Sequence, residues 1–244
     1  MRPRVAALVP VYKEAGKIGG VLSLFARVPI DYVYVILDCP TDALLREVKS
    51  EGQKSKARIC VLENAERRGV GHAIRQGIRQ ALEAGCEVIV VIAGNGKDDP
   101  REIPRIIRPI LQEGFDFVQG SRFLHGGKAF KTPFLRAIFS RLYPFLWRIA
   151  VGARLTDVTN GFRAYRASVF RDRRINLSQR WLDGYALEFY LVYKMLTLGY
   201  RTAEVPVSKR YPYRHKGGYS KIAPLRDWWD IISPLLYLKL GVRE

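Results

Sequence analysis

The stretch EVIVVIAGNGKDDP, residues 87–100, decides how the rest of the chain is read. It opens with the β-branched run Val88-Ile89-Val90-Val91-Ile92, apolar at every position. A strand with one wet face alternates apolar with polar residues. An unbroken apolar run closed by glycine suits a strand buried on both faces of a parallel sheet. The run breaks into Gly94-Asn95-Gly96, and Lys97-Asp98-Asp99-Pro100 leads into a helical pattern from Ile103. Open α/β sheets bind ligands beyond the carboxyl ends of their strands. This loop is therefore the first candidate for a site.

The same alternation extends in both directions. Toward the N-terminus, strands are expected at residues 5–11, 32–37 and 57–62, and helices at 18–26, 42–50 and 72–84. Asp42 is expected to cap the second helix, and Gly85 to close the third. Toward the C-terminus come a helix at 103–113, a strand at 115–119, a helix at 184–198 and a strand at 201–207. Strands alternating with helices at this spacing predict an α/β fold with a doubly wound, mostly parallel sheet flanked by helices. One domain is expected over residues 1–223, with a change of character between a first half at about 1–122 and a second at about 123–223. Residues 224–244 are expected to form an aromatic-rich C-terminal helix carrying Trp228, Trp229 and Tyr237.

Two stretches raise the question of a membrane. In residues 132–152, TPFLRAIFSRLYPFLWRIAVG, Arg136, Arg141 and Arg148 are the only charges. This reads either as an interfacial helix pair with arginines at headgroup level or as a helix packed on the sheet with snorkelling arginines. The Trp-rich tail fits an interface belt, a packing helix or a subunit contact. No run reaches 18 uncharged apolar residues, so no span is expected, and the N-terminus lacks the pattern of a signal peptide.

Of 244 residues, 41 are Lys or Arg and 23 are Asp or Glu, a formal net charge of +18. Such a balance favours anionic partners: phosphorylated substrates, anionic lipid or nucleic acid. Cys39, Cys60 and Cys86 have no metal-type spacing and read as buried, reduced thiols of a cytosolic protein. No GxGxxG follows the first strand, which argues against a dehydrogenase. The Gly-rich, Arg-containing loop of nucleotidyltransferases is also missing there.

Several motifs occur in one order: Val9-Pro10-Val11-Tyr12-Lys13-Glu14; residues 38–42; Arg68-Gly69-Val70-Gly71-His72-Ala73-Ile74; the 94–100 loop; Gly120-Ser121-Arg122; Asn160-Gly161-Phe162-Arg163; Glu204-Val205-Pro206-Val207; and Arg214 with Gly218-Tyr219-Ser220-Lys221. Together they resemble family 2 glycosyltransferases of the GT-A fold, nearest in look to the dolichol-phosphate mannose synthase-like, polyprenyl-phosphate group. The resemblance spans about residues 5–221.

That resemblance implies an inverting transferase using a nucleotide sugar. Pro10, Tyr12 and Glu14 would line the base and ribose pocket, and Asp38 would accept from a base N–H. Around Arg68, backbone N–H groups would face a phosphate, or Gly69 and Gly71 would serve close packing. Asn95 and Lys97 would lie against the diphosphate. Family members carry Asp-X-Asp here to hold Mg²⁺ or Mn²⁺, whereas this chain has Ala93 and Asn95. Three readings follow: a divalent ion held through Asn95, Asp98 or Asp99; cationic side chains in place of the metal; or a binding relative without activity.

The resemblance places Arg122, Asp157, Arg163, Arg214 and Lys221 at the chemistry. A phosphate acceptor is already anionic and needs cations, whereas a hydroxyl acceptor needs a carboxylate base. Asp157, Asp183 and Glu188 are the candidate bases; His72, His125 and His215 are read as non-catalytic. The segment 211–221, with Gly217 and Gly218, is expected to fold over the substrates. The leading reading is transfer to a polyprenyl phosphate by a peripheral protein on the cytoplasmic face of an anionic membrane. A saccharide hydroxyl in envelope or O-antigen polysaccharide synthesis is the second acceptor. A non-catalytic domain binding anionic lipid or nucleic acid is the third reading; Tyr211-Pro212-Tyr213-Arg214 interleaves aromatic and basic residues, but no RNA-binding signature accompanies it.

Overall fold

A computed structural model describes residues 2–52, 57–152, 154–211 and 226–243. The opening stretch forms β4 (Val88–Val91), buried at every position. It lies inside a seven-stranded sheet with β1 (Val5–Val11), β2 (Tyr32–Asp38), β3 (Arg58–Asn64), β5 (Phe117–Ser121), β7 (Arg163–Arg166) and β8 (Thr202–Pro206). The strand order is β3-β2-β1-β4-β7-β5-β8. Successive residues of β4 feed opposite cores, as a period of two requires. Ile89 and Val91 join one apolar cluster, while Val88 and Val90 join the other.

The sheet departs from the expected pattern in one strand. β7 runs antiparallel to both β4 and β5, with Ala164 opposite both Val90 and Val118. The strands otherwise pair in parallel. A strand of four residues with arginine at both ends carries no strand signal of its own. It is stable at the centre because Arg163, 1% exposed, donates Nε to Asn160 O (2.9 Å), Nη1 to Glu188 O (2.7 Å) and Nη2 to Val158 O (2.7 Å). A buried cation with its donors satisfied avoids most of the desolvation penalty.

Helices cover both faces. α1 (Ile18–Phe25), α2 (Asp42–Gly52) and α4 (Ile103–Gln112) pack on one side. α3 (Val70–Glu83), α5 (Phe134–Val151), α6 (Ala186–Thr197) and α7 (Arg226–Lys239) pack on the other. A second, two-stranded parallel sheet joins β6 (Lys128–Phe130) to β9 (Ser208–Arg210). Gly85, at φ +70°, ends α3 as expected. At α2, Thr41 Oγ1 rather than the Asp42 carboxylate accepts from Leu44 N (3.4 Å), because Asp42 already stands inside the first turn. Residues 132–152 give one helix running through Pro144, not a pair. Of the cysteines only Cys86 is buried; Cys60 is half-buried, and Cys39 is exposed at the tip of β2 with φ +55°. Among the described residues no helix is long and apolar enough to cross a membrane.

Glycine is required where α3 meets the 182–184 turn. A Cβ on Gly71 would lie 1.9 Å from Leu182 O and 2.5 Å from Gly184 O, both backbone atoms. Gly20, on the exposed side of α1, has nothing within 4 Å of its Cβ position. We expect Gly71→Ala to lower unfolding free energy by about 2 kcal/mol or more through overpacking. Gly20→Ala should raise it by about 0.5–1 kcal/mol through helix propensity. Urea denaturation followed by circular dichroism measures both, and equal stabilities for the two variants would contradict the packing account.

Candidate active site

The carboxyl ends of β1, β2, β4 and β5 converge on one edge of the sheet. At the end of β1, Pro10 and Tyr12 are half-buried and Glu14 is 6% exposed. Glu14 O accepts from Ile18 N (3.2 Å), and its carboxylate receives Lys17 Nζ (2.9 Å). The Tyr12 ring carries two cations, Arg67 at 4.7 Å and Lys13 at 5.3 Å from its centroid.

At the end of β2, Asp38 is 4% exposed. Its carboxylate accepts Arg68 N (2.8 Å) and Gly69 N (2.9 Å), which fixes the turn into α3. Arg68 itself is exposed. The N–H groups of Gly71 and His72 donate to Asp183 O at 2.8 and 3.1 Å. So at the start of α3 the close-packing reading holds: these donors serve a neighbouring carbonyl instead of facing a phosphate. Burial, with Arg75 and Arg68 nearby, pushes the His72 pKa down. The Asp183 carboxylate receives Arg75, and Glu188 Oε1 lies 3.9 Å from Arg163 Nη1. A cavity of about 460 Å³ opens at the end of β3, lined by Glu63, Asn64, Ala65, Glu66, Arg68 and His72. It adjoins the Asp38 turn, on the far side of Asp38 from the 94–100 loop in strand order.

The loop after β4 is locked from three directions. Gly94 N donates to Pro10 O (3.3 Å), and a Cβ on Gly94 would meet Val11 Cγ2 at 2.7 Å. Asn95 Oδ1 accepts from Lys97 N (3.1 Å). Lys97 O accepts from Arg210 N (2.8 Å), tying the loop to β9. Asp98, 3% exposed, receives Lys209 Nζ on both oxygens (2.8 and 2.7 Å), and the same ammonium donates to Asn160 Oδ1 (2.9 Å). Asp99 caps the following turn by accepting Arg101 N (3.0 Å) and also receives the Arg101 guanidinium. Burial, with Arg136 and Lys209 close by, lowers the Lys97 pKa to about 8.

These residues do not fit a carboxylate-bound divalent ion. Ala93 offers no donor, the Asn95 carbonyl holds a backbone N–H, Asp98 is bound by an ammonium and Asp99 by a guanidinium. Among the described residues, no three His, Cys, Asp or Glu side chains converge. Hard cations want several free oxygens.

Deeper in the site, Arg122 and Asp157 form an ion pair with both side chains at 0% exposure. Arg122 Nε and Nη2 donate to the two Asp157 oxygens at 2.6 and 2.8 Å. Arg122 Nη1 also donates to Tyr211 Oη (3.1 Å) and Nη2 to Thr159 Oγ1 (2.6 Å). Burial works against the Arg122 charge, but the Asp157 bonds outweigh it and raise the pKa. Glu204 accepts Thr156 N (2.8 Å) and Asp157 N (3.1 Å), holding that loop from below. Arg122, Asp157 and Arg163 thus form a sealed floor. Arg214, Lys221, His215 and the Gly217-Gly218 segment lie outside the described residues, as does the Trp228 side chain.

Lys209 escapes a reading by motif; Tyr211 entered only as the start of the 211–221 segment, and Arg136 only as a charge of the 132–152 stretch. Lys97 Nζ lies 5.2 Å and the Arg136 guanidinium 5.5 Å from the Tyr211 ring centroid. Lys209 and Tyr211 directly follow the Glu204-Val205-Pro206-Val207 motif. Their spacing of two puts them on one side of an extended chain, which is the signal that Lys209 carried.

Residues 6–174 match the family described as Glycosyl transferase family 2. The chain belongs to that family. It is 32% identical over 209 residues to the undecaprenyl-phosphate mannosyltransferase of Micrococcus luteus, covering 84% of this chain and 83% of that protein. It is 25% identical over 206 residues to the polyprenol monophosphomannose synthase of Mycolicibacterium smegmatis, covering 84% and 77%. Among solved structures, glucosyl-3-phosphoglycerate synthase from Mycobacterium tuberculosis, in complex with Mn²⁺, UDP-glucose and phosphoglyceric acid, superposes with a TM-score of 0.68. That match covers 99% of this chain and 81% of the other at 18% identity, a likeness of fold. The chain is thus a family 2 glycosyltransferase of the GT-A type.

In this glycosyltransferase the Arg122–Asp157 pair tests how the floor is held. Removing one member strands a buried charge, which typically costs 3–5 kcal/mol. We expect Arg122→Met to destabilise by about that amount, and Asp157→Leu likewise. Arg122→Met combined with Asp157→Leu should cost clearly less than the sum of the two. Urea unfolding of all four proteins completes the cycle, and strict additivity would show that the pair is not coupled.

Proposed function

We propose that this glycosyltransferase moves a hexosyl group, with inversion, from a nucleoside-diphosphate sugar to a polyprenyl phosphate on the cytoplasmic face of a membrane. The observation that carries the acceptor class is the sealing of Asp157. A hydroxyl acceptor must lose a proton to a placed base. Of the candidate bases, Asp157 is closed off at 0% exposure by Arg122, and the Asp183 carboxylate is engaged by Arg75. A phosphate oxygen attacks C1 as an anion and needs no base. The new bond joins C1 to the acceptor phosphate, and the nucleoside diphosphate leaves with the electron pair of the broken C1–O bond. What such a reaction needs is fixed positive charge around two anions, and preorganised cations supply it without reorganisation. The names of the two relatives, an undecaprenyl-phosphate mannosyltransferase and a polyprenol monophosphomannose synthase, support the same acceptor.

Pro10, Tyr12, Glu14 and Asp38, at the ends of β1 and β2, are the residues we assign to the base and ribose. Asp38 keeps acceptor capacity beyond its two backbone N–H bonds, since each carboxylate oxygen has a second lone pair. One feature favours the second acceptor, a saccharide hydroxyl. The Glu188 side chain remains 19% exposed beside Gly161, a position open to a base. Incubation with a panel of nucleotide sugars, together with a polyprenyl phosphate or oligosaccharide acceptors, and mass measurement of the products separates the two. We expect polyprenyl phosphate to gain one hexose; a glycosylated saccharide with untouched polyprenyl phosphate would refute the leading reading.

The membrane reading rests on α5 and α7. On α5, Ser140, Tyr143, Pro144 and Trp147 face the core, while Phe134, Leu142, Phe145 and Ile149 are 61–76% exposed. Leu240 and Trp229 of the C-terminal segment are 73% and 55% exposed. Exposed Arg141 and Arg148 lie on α5 among the apolar residues. An apolar helix face with flanking cations is the pattern that seats a helix in an anionic interface. In flotation with vesicles containing phosphatidylglycerol at low salt, we expect the protein to rise with the lipid. Carrying Phe145→Asp and Ile149→Asp together should weaken binding at least tenfold without changing the melting temperature much. Wild-type protein left at the bottom of the gradient would exclude this mode of attachment.

A further inference from the structure

Motif reading nominated Arg122 and Arg163 as cations for the phosphates, yet both are engaged below the surface of the site. Arg122 is held by Asp157, Thr159 and Tyr211, and Arg163 by three backbone carbonyls. Lys209 holds Asp98 and Asn160. Among the described residues, two further cations stand above that floor and share one ring: Lys97, in the loop after β4, and Arg136, in the first turn of α5. Both reach the ring of Tyr211, at 5.2 and 5.5 Å. A ring face draws cations through its quadrupole, and here it gathers two from elements far apart in sequence.

The placement is fixed by its surroundings. Lys97 is tied at its carbonyl to β9. Tyr211 is 2% exposed, donates its N–H to Phe130 O (3.0 Å) and accepts from Arg122 at its hydroxyl. Arg136 precedes Ser140 by one turn, on the inward stripe of α5. Lys97 belongs to the strand-end loop where the family pattern places Asp-X-Asp, and on that loop Asp98 and Asp99 each receive a cation.

We propose that Lys97 and Arg136, gathered on Tyr211, form the seat for the donor's diphosphate and hold it without a divalent cation. This rests on the reading that the donor is a nucleoside-diphosphate sugar. A guanidinium offers two parallel N–H groups to adjacent phosphate oxygens, and the ammonium adds a point charge. Together they supply the two positive charges of a divalent ion. As the C1–O bond breaks, the charge growing on the diphosphate meets cations already in place.

Calorimetric titration of the full chain with UDP and with GDP, in EDTA and in Mg²⁺ or Mn²⁺, tests the seat. We expect the better nucleotide to bind in EDTA within about threefold of its affinity with metal. Lys97→Met and Arg136→Gln should each weaken that binding at least tenfold, equal to about 1.4 kcal/mol. Arg136→Lys should recover part of it. Binding of the parent nucleoside, and the thermal melt, should stay as in the wild type. The seat is overturned if UDP and GDP bind only when metal is present, or if both substitutions leave diphosphate affinity unchanged. If neither nucleotide binds under any condition, the donor reading itself falls and the seat with it.

Discussion

Two opposite charges buried side by side, Arg122 and Asp157, hold the site together. Neither side chain has any exposed surface. Taking such a pair out of water costs several kcal/mol per ion, and only excellent geometry offsets it. The geometry here is a two-point guanidinium–carboxylate contact, with Thr159 and Tyr211 taking the other donors. In return the pair joins three parts of the chain that sequence keeps apart: the end of β5, the loop entering β7, and the segment leaving β9. Glu204, at the middle of β8, holds the same loop through backbone N–H groups. Once that floor is set, Arg163 stabilises the loop between Val158 and Asn160 and β7 can close the gap between β4 and β5.

The second constraint sits one layer higher. Lys209 and Asp98 are 111 residues apart, yet the ammonium meets both carboxylate oxygens and Asn160. This contact pins the loop after β4 to the small β6–β9 sheet and gives that loop a single shape. It also removes from the loop the one fully buried carboxylate that sequence offered as a metal ligand. On the proposed reading, the chemistry of the loop passes from anionic ligands to cations.

The contrast between what sequence gave away and what it hid follows from range. Residues 88–92 were readable because burial on both faces leaves every position apolar, a local property. The ends of β1 and β2 were readable because each apolar run is local and closes on a polar residue, Tyr12 just after β1 and Asp38 as the last residue of β2. β7 was not, because four residues bounded by Arg163 and Arg166 owe their strand state to neighbours on either side. Arg163 shows the limit most clearly. A guanidinium has the same five donors whether it faces phosphate or carbonyl oxygens, and only the fold decides. Asp98 is the same case with the sign reversed, since nothing near it in sequence announces Lys209. Arg214 and Lys221, drawn from the same motifs, lie outside the described residues.

α5 joins the two halves of the argument. Its outward stripe, from Phe134 through Leu142 and Phe145 to Ile149, is apolar and exposed. Its inward stripe begins at Arg136 and continues through Ser140, Tyr143 and Trp147 into the core, where Tyr143 Oη donates to Ile231 O of α7 (2.6 Å). A helix packed only against protein would have no reason to keep large aromatic and aliphatic residues in water, at roughly 25 cal/mol for each Å² left exposed. A helix lying only on lipid would have no reason to carry an arginine inward to Tyr211. Both features on one eighteen-residue helix set the proposed lipid-facing surface one helix diameter from the cations proposed to seat the donor's diphosphate. That distance suits an acceptor whose tail stays in the bilayer while its headgroup reaches the end of β4.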